Sequence, residues 1–156
     1  MGAACSPSSS AVRGPEGADV CLFNDLASLS RDAAGALDRA AQPSLYDRIS
    51  WFGLHAAHIL RDVPLLGVRA RTVDGTAWLI LADRGGRRTE AYASWYTLAF
   101  APVFAPGSDP SARPALLAVI ARALRPHVDQ VALGPLRTED AALLAQAFAA
   151  GGWSSV

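Results

Sequence analysis

Apolar residues recur along the chain with two periods, and the switches between those periods mark out its elements. Val20-Cys21-Leu22-Phe23 is a short apolar run of strand type, and Asn24-Asp25 beside it can cap the next segment. From Asp25 to Ala41, Leu26, Leu29, Ala33, Leu37 and Ala40 return at steps of three and four, which predicts a first helix weakened at Gly35. After the Gln42-Pro43-Ser44 break, Leu45, Ile49, Phe52, Ala56, Ile59 and Leu60 predict a second helix. Ser44 is placed as its N-cap and Asp47 in its first turn.

The period then falls to two. Three strand runs, 64–73, 76–83 and 87–93, are separated by Asp74-Gly75 and Arg84-Gly85-Gly86, both turn chemistries that tolerate positive φ, so an antiparallel meander is expected. In the first run Leu66, Val68 and Ala70 alternate with Gly67, Arg69 and Arg71, as for a sheet with one buried and one wet face. Residues 94–108, with Trp95, Tyr96, Phe100, Phe104 and two prolines, read as a bent strand extension and then a loop.

Asp109 or Ser111 can start a third helix, with Leu116, Leu117, Ile120, Ala121 and Leu124 facing the core and Pro126 ending it. Residues 128–133 predict another strand. Thr138-Glu139-Asp140 opens a fourth helix that runs through Phe148 to Gly151-Gly152, and Trp153 would open one more strand if the chain continued. A meander followed by helix, strand and helix forces one parallel crossover. The expected class is therefore α/β, with a mixed, mostly antiparallel sheet and helices on both faces. Residues 1–18, rich in Ser, Gly, Ala and Pro without periodicity, are expected to be a disordered lead to a folded unit over 19–156.

Composition narrows the function. The 156 residues are 51% hydrophobic and only 18% charged, enough for one buried core. The 14 basic residues are all arginine, a composition expected of a GC-rich bacterial genome, and 14 acidic residues balance them. No electrostatic footprint for nucleic acid or an anionic membrane results, so neither is expected as a partner. Cys5 and Cys21 are too few for a disulfide framework and lack the spacing of a zinc site, which suits a reducing cytoplasm. No apolar run reaches the length of a membrane span. Met1-Gly2-Ala3-Ala4-Cys5-Ser6 matches the formal myristoylation pattern, a minor reading in a bacterial composition.

Four segments carry a family likeness: Tyr46-Asp47-Arg48-Ile49-Ser50-Trp51-Phe52, Trp78-Leu79-Ile80-Leu81, Ser94-Trp95-Tyr96-Thr97 and Gly151-Gly152-Trp153. Together with the element order they resemble the amino-terminal half of bacterial GNAT-type acyltransferases of the CelD/BioF2-like, FemABX-like group, over about 20–156. Ser94 stands where that family commonly has Asn, and Thr97 where it has Ser. The resemblance implies a GNAT-like sheet truncated before its last strands. It also implies acyl transfer from acetyl-CoA or another acyl-CoA to an amine, and a carboxy-terminal half, in further sequence or a partner chain, that holds the cofactor. No cofactor is expected in this chain. A GNAT pyrophosphate loop opens the third helix with Gln/Arg-x-x-Gly-x-Gly/Ala, whereas 94–113 holds one glycine, Gly107, between Pro106 and Pro110, which have no N–H to donate.

The candidate substrate-binding residues are Trp51, Ser94, Trp95, Tyr96 and Thr97. Two hydroxyls interleaved with large rings can line a cleft that fixes a polar substrate, or the rings can fill the core where the strand bends. No catalytic residue and no metal ligand is assigned. His55 and His58, three apart, lack a third ligand, and His127 reads as a surface or capping residue. Arg84, Arg87 and Arg88 crowd a hairpin tip, where a solvated turn paired with Asp83 and Glu90 is the plainer reading than an anion site. Two functions from different classes are carried forward: the substrate-side half of an acyltransferase, and a non-catalytic module that binds a protein through an open sheet edge.

Overall fold

An extended Asp25 starts the first helix: its Oδ1 accepts the Ser28 N–H at 2.7 Å. The computed structural model of the protein describes residues 9–13, as backbone, and 17–155. Helix α1 covers Leu26–Ala33 and ends where Ala34 takes a left-handed φ of 48°. The expected continuation to Ala41 is replaced by turns, yet Leu37 remains buried, and its carbonyl accepts the Ile49 N–H at 2.8 Å.

The second predicted helix is broken into three pieces. A 3-10 turn at Leu45–Asp47 leads to an extended Arg48, whose guanidinium donates to the Gln42 and Pro43 carbonyls at 2.9 and 2.7 Å. Helix α2, Ile49–Leu54, then runs into a π-helical turn, His55–Ile59, closed by Leu60 N–H to His55 O at 2.7 Å. Ser44 makes no side-chain cap bond, contrary to expectation. The wider turn rotates the apolar stripe, so Ile59 is exposed while Phe52, His55 and Leu60 are buried.

The meander forms as expected: β3 is Leu65–Thr72, β4 Gly75–Asp83 and β5 Arg88–Ala91, with Val68 opposite Leu79 and Leu81 opposite Ala91. The loop before α3 packs closely on the first hairpin turn, where a Cβ on Gly75 would lie 2.6 Å from the Ser108 Cβ. Strand β2, Asp19–Phe23, flanks β3, and β1, Ser9–Arg13, flanks β2; both pairings are antiparallel. Strand β1 thus lies within the residues expected to form a disordered lead, paired to the edge of β2. The rest of that expectation, 1–8 and 14–16, lies outside the described residues.

Two-residue β6, Val103–Phe104, pairs with β4, and β7, Gln130–Ala132, lies parallel to β5. The path is β1-β2-β3-β4-β5-β7, an open, mixed and mostly antiparallel sheet. Helix α3, Arg113–Leu124, makes the crossover from β5 to β7, and α4, Thr138–Ala150, follows β7.

Alternate side chains of the strands feed two cores. Leu22, Val68, Leu79 and Leu81 meet Leu116, Leu117, Ile120 and Leu124 of α3 and Leu144 of α4, all buried. Phe23, Leu65, Trp78 and Ile80 meet Leu29 of α1, Phe52 of α2 and Tyr92. The wet face expected for β3 is thus a buried one. Helix α1 lies so close that a Cβ on Gly67 would be 2.5 Å from Leu29 Cδ1. Arg69, 0% exposed, is accommodated there by ion pairs to Asp19 at 3.0 Å and Asp32 at 3.3 Å.

Cys21, on that same face, is disulfide-bonded. Trp153 follows α4 and packs back on Phe148. Its Nε1 donates to the Ala121 carbonyl at 2.7 Å and its ring lies 5.7 Å from that of Phe148, so it closes the α3–α4 pair. No helix is long and apolar enough to cross a membrane among the described residues.

Candidate functional site

The expected site residues converge on a histidine that was not among them. His55, 1% exposed, opens the π turn and points its ring at the segment after β5. Its Nε2 lies 2.8 Å from Ser94 Oγ and 3.3 Å from Thr97 Oγ1, and its Nδ1 lies 3.1 Å from the Trp51 carbonyl oxygen. A carbonyl only accepts, so Nδ1 carries the proton and Nε2 of the neutral ring presents its lone pair to the hydroxyls.

Residues 94–97 form a tight turn, Thr97 N–H to Ser94 O at 2.9 Å, latched by Ser94 N–H to Thr97 Oγ1 at 3.1 Å and Tyr96 N–H to Ser94 Oγ at 3.2 Å. Thr97 is buried and Ser94 partly exposed. The Trp51 ring packs on the imidazole at 4.7 Å between centroids, and Tyr46 meets Trp51 edge-on at 5.3 Å. Trp51, Ser94 and Thr97 are therefore brought together around His55.

Trp95 and Tyr96 are not. They are 100% and 72% exposed, and Leu98 beside them is exposed as well. The reading that these rings fill the core is overturned. The turn spends its hydrogen bonds on Ser94 and Thr97, and the two residues between them are carried outward, forming an apolar rim on open surface.

His58 is exposed, away from His55, and no cluster of three His, Cys, Asp or Glu side chains suited to a metal occurs among the described residues. His127 is exposed and donates its backbone N–H to Leu124. At the hairpin tip Arg84 pairs with Glu90, and Arg87 makes a two-pronged pair with Asp129 at 2.8 and 2.9 Å. The Asp129 carboxyl is held below its usual range by that guanidinium.

The loop that leads into α3 does not fit a pyrophosphate. Asp109 accepts the Ser111 N–H on its carboxylate at 2.8 Å, and the Ser108 and Asp109 amides are spent on the Ala105 and Asp74 carbonyls. The amide bond holds the Asp109 carboxyl below its ordinary range, so a negative charge already occupies the turn where phosphates would have to sit. A concavity lies elsewhere. An open groove of about 1450 Å³ runs along the free edge of β7 and α4, lined by Val131, Leu133, Leu144, Phe148 and Trp153, with Arg88 and Arg125 on its rim.

The chain matches no family model, no curated protein and no solved structure. What sequence reasoning missed was the role of His55. Its signal was present as a histidine four residues after Trp51 in a segment that ends at Leu60, but only the π turn and the return of the chain after β5 put Ser94 against it.

Proposed function

We propose that the chain is the substrate-side half of a GNAT-type acyltransferase, which passes an acyl group from an acyl-CoA to an amine together with a carboxy-terminal half. The observation that carries this reading is the strand order. Two helices precede an antiparallel meander, and a single crossover through α3 lays β7 parallel to β5, the order implied by the family resemblance. In open α/β sheets ligands bind outside the carboxyl ends of parallel strands, and the Ser94–Thr97 turn follows the carboxyl end of β5. Because the loop before α3 does not fit phosphates, the acyl-CoA belongs to the other half, and this chain alone is inactive in transfer from acyl-CoA. The apolar groove beside β7 is the surface on which that half would dock.

The same groove favours a second reading, a protein-interaction module that adds a partner's strand to the β7 edge. Calorimetric titration with acetyl-CoA should show no binding; micromolar binding would overturn the division of labour between halves. Amide-resolved NMR with small primary amines separates the two readings. Shifts at Trp51 and Ser94–Thr97 support the acceptor side, whereas silence there, with a strand peptide bound along β7, selects the module.

A further inference from the structure

We propose that Ser94 is a nucleophile activated by His55, able to take an acyl group from an activated ester. The inference stands on this geometry and not on the acyltransferase reading, and it needs neither acyl-CoA nor a second half.

Four observations carry it. The imidazole is oriented by a backbone carbonyl, which forces the proton onto Nδ1 and the lone pair onto Nε2. The Ser94 hydroxyl is oriented too, because its oxygen accepts the Tyr96 N–H and its own proton is left for Nε2 at 2.8 Å. Nucleophile and base are thus within direct proton-transfer reach, with a third group holding the base. His55 itself is buried, while Ser94 is partly exposed, so the base is screened from water at the margin of the surface.

Finally, the backbone N–H of Trp95, the residue after Ser94, has no hydrogen-bond partner among the described residues. That is the donor an acyl oxyanion would need. Exposed Trp95, Tyr96 and Leu98 form an apolar rim beside it, which suits esters with an aromatic or aliphatic group.

The step balances within these residues and the ester. Ser94 Oγ attacks the acyl carbon as its proton passes to Nε2. The tetrahedral intermediate then collapses, the bond to the leaving alkoxide breaks, and Nε2 returns the proton to it. The products are acyl-Ser94 and an alcohol. Water or an amine, deprotonated by the same Nε2, can then take the acyl group and restore the hydroxyl.

The chain contains no lysine, so acetylation by p-nitrophenyl acetate meets little background. Intact mass and peptide mapping of the full chain after brief exposure should place one acetyl group on Ser94. The label should disappear in denaturing urea, a control that requires no variant to fold. Ser94→Ala should remove it, and His55→Gln, checked for folding by near-UV circular dichroism, should slow it about 100-fold or more. His58→Gln, exposed on the same segment and outside these contacts, should keep it. A label spread over tyrosines and the amino terminus, an equal Ser94 label in urea, or full-rate labelling of folded His55→Gln would overturn the proposal. His55 would then be a buried strut that ties α2 to the turn after β5.

Discussion

The two faces of the sheet solve the problem of burial differently. Against α3 and α4 the buried residues are almost all aliphatic, Leu22, Val68, Leu79, Leu81, Leu117 and Ile120 among them. Against α1 and α2 the same strands bury Arg69, the Trp78 ring and, nearby, His55 and Thr97. The first face is held by packing, which is tolerant of order and carries no chemistry. The second buries polar groups where an unpaired atom is costly; Trp78 Nε1 has no hydrogen-bond partner among the described residues, whereas the His55 ring is oriented by Trp51, Ser94 and Thr97.

The sharpest way to break the second face is Arg69→Ala. It leaves the nearly buried Asp32 carboxylate without its close cation, Arg71 being 3.9 Å away, and should cost about 3–5 kcal/mol in chemical unfolding. A double variant with Asp32→Asn should recover part of the loss, because the stranded charge goes with it. If Arg69→Ala unfolds with the wild type, the guanidinium is solvated in solution and the two faces do not differ in this way.

Leu117→Ala tests the aliphatic face. A cavity at fully buried Leu117 of α3 should cost about 2–5 kcal/mol. It should leave the rate of Ser94 acetylation unchanged in the folded protein, since no polar group leans on it. A change in that rate would mean that the two faces are mechanically coupled.

Asp25→Ala is a smaller probe, of the cap that starts α1. The Ser28 N–H holds the Asp25 carboxyl below its ordinary range. Ionised Asp25 therefore contributes stability that is present above the unfolded carboxylate range and is lost as pH falls through it toward the lower folded value. The variant should lose about 1 kcal/mol at neutral pH and progressively less in acid. A cost independent of pH would point to lost packing instead of the cap.

The smallest expected effects are those of Trp95→Ala and Tyr96→Ala. Both rings stand in solvent, so each variant should stay within about 0.5 kcal/mol of wild type by thermal melting. A loss several times larger would place the rings in a core after all.

The turn signals Asp74-Gly75 and Arg84-Gly85-Gly86, the alternation between them, and the apolar face of 113–124 were enough to define the meander, the crossover and the α/β class. Local physics decides those features: turn φ values and side-chain period act within a few residues. The second helix was legible only as apolar spacing. An extended Arg48 and a π turn at His55 depend on carbonyls supplied by Gln42 and Pro43 and on packing against Phe52 and Tyr92, none of which leaves a periodic trace.

Burial of β3 on both faces was hidden for a related reason, because Arg69 and Arg71 look like residues of a wet face until Asp32 of α1 is brought to them. For the site, the chain by itself determined that Ser94 and Thr97 bracket two aromatics, and that the approach to α3 lacks amides for phosphate. Only the tertiary structure decided that those aromatics face solvent and that a histidine 39 residues earlier meets Ser94. A hydrogen bond between segments so far apart has no local signature, since it depends on where the whole sheet returns the chain.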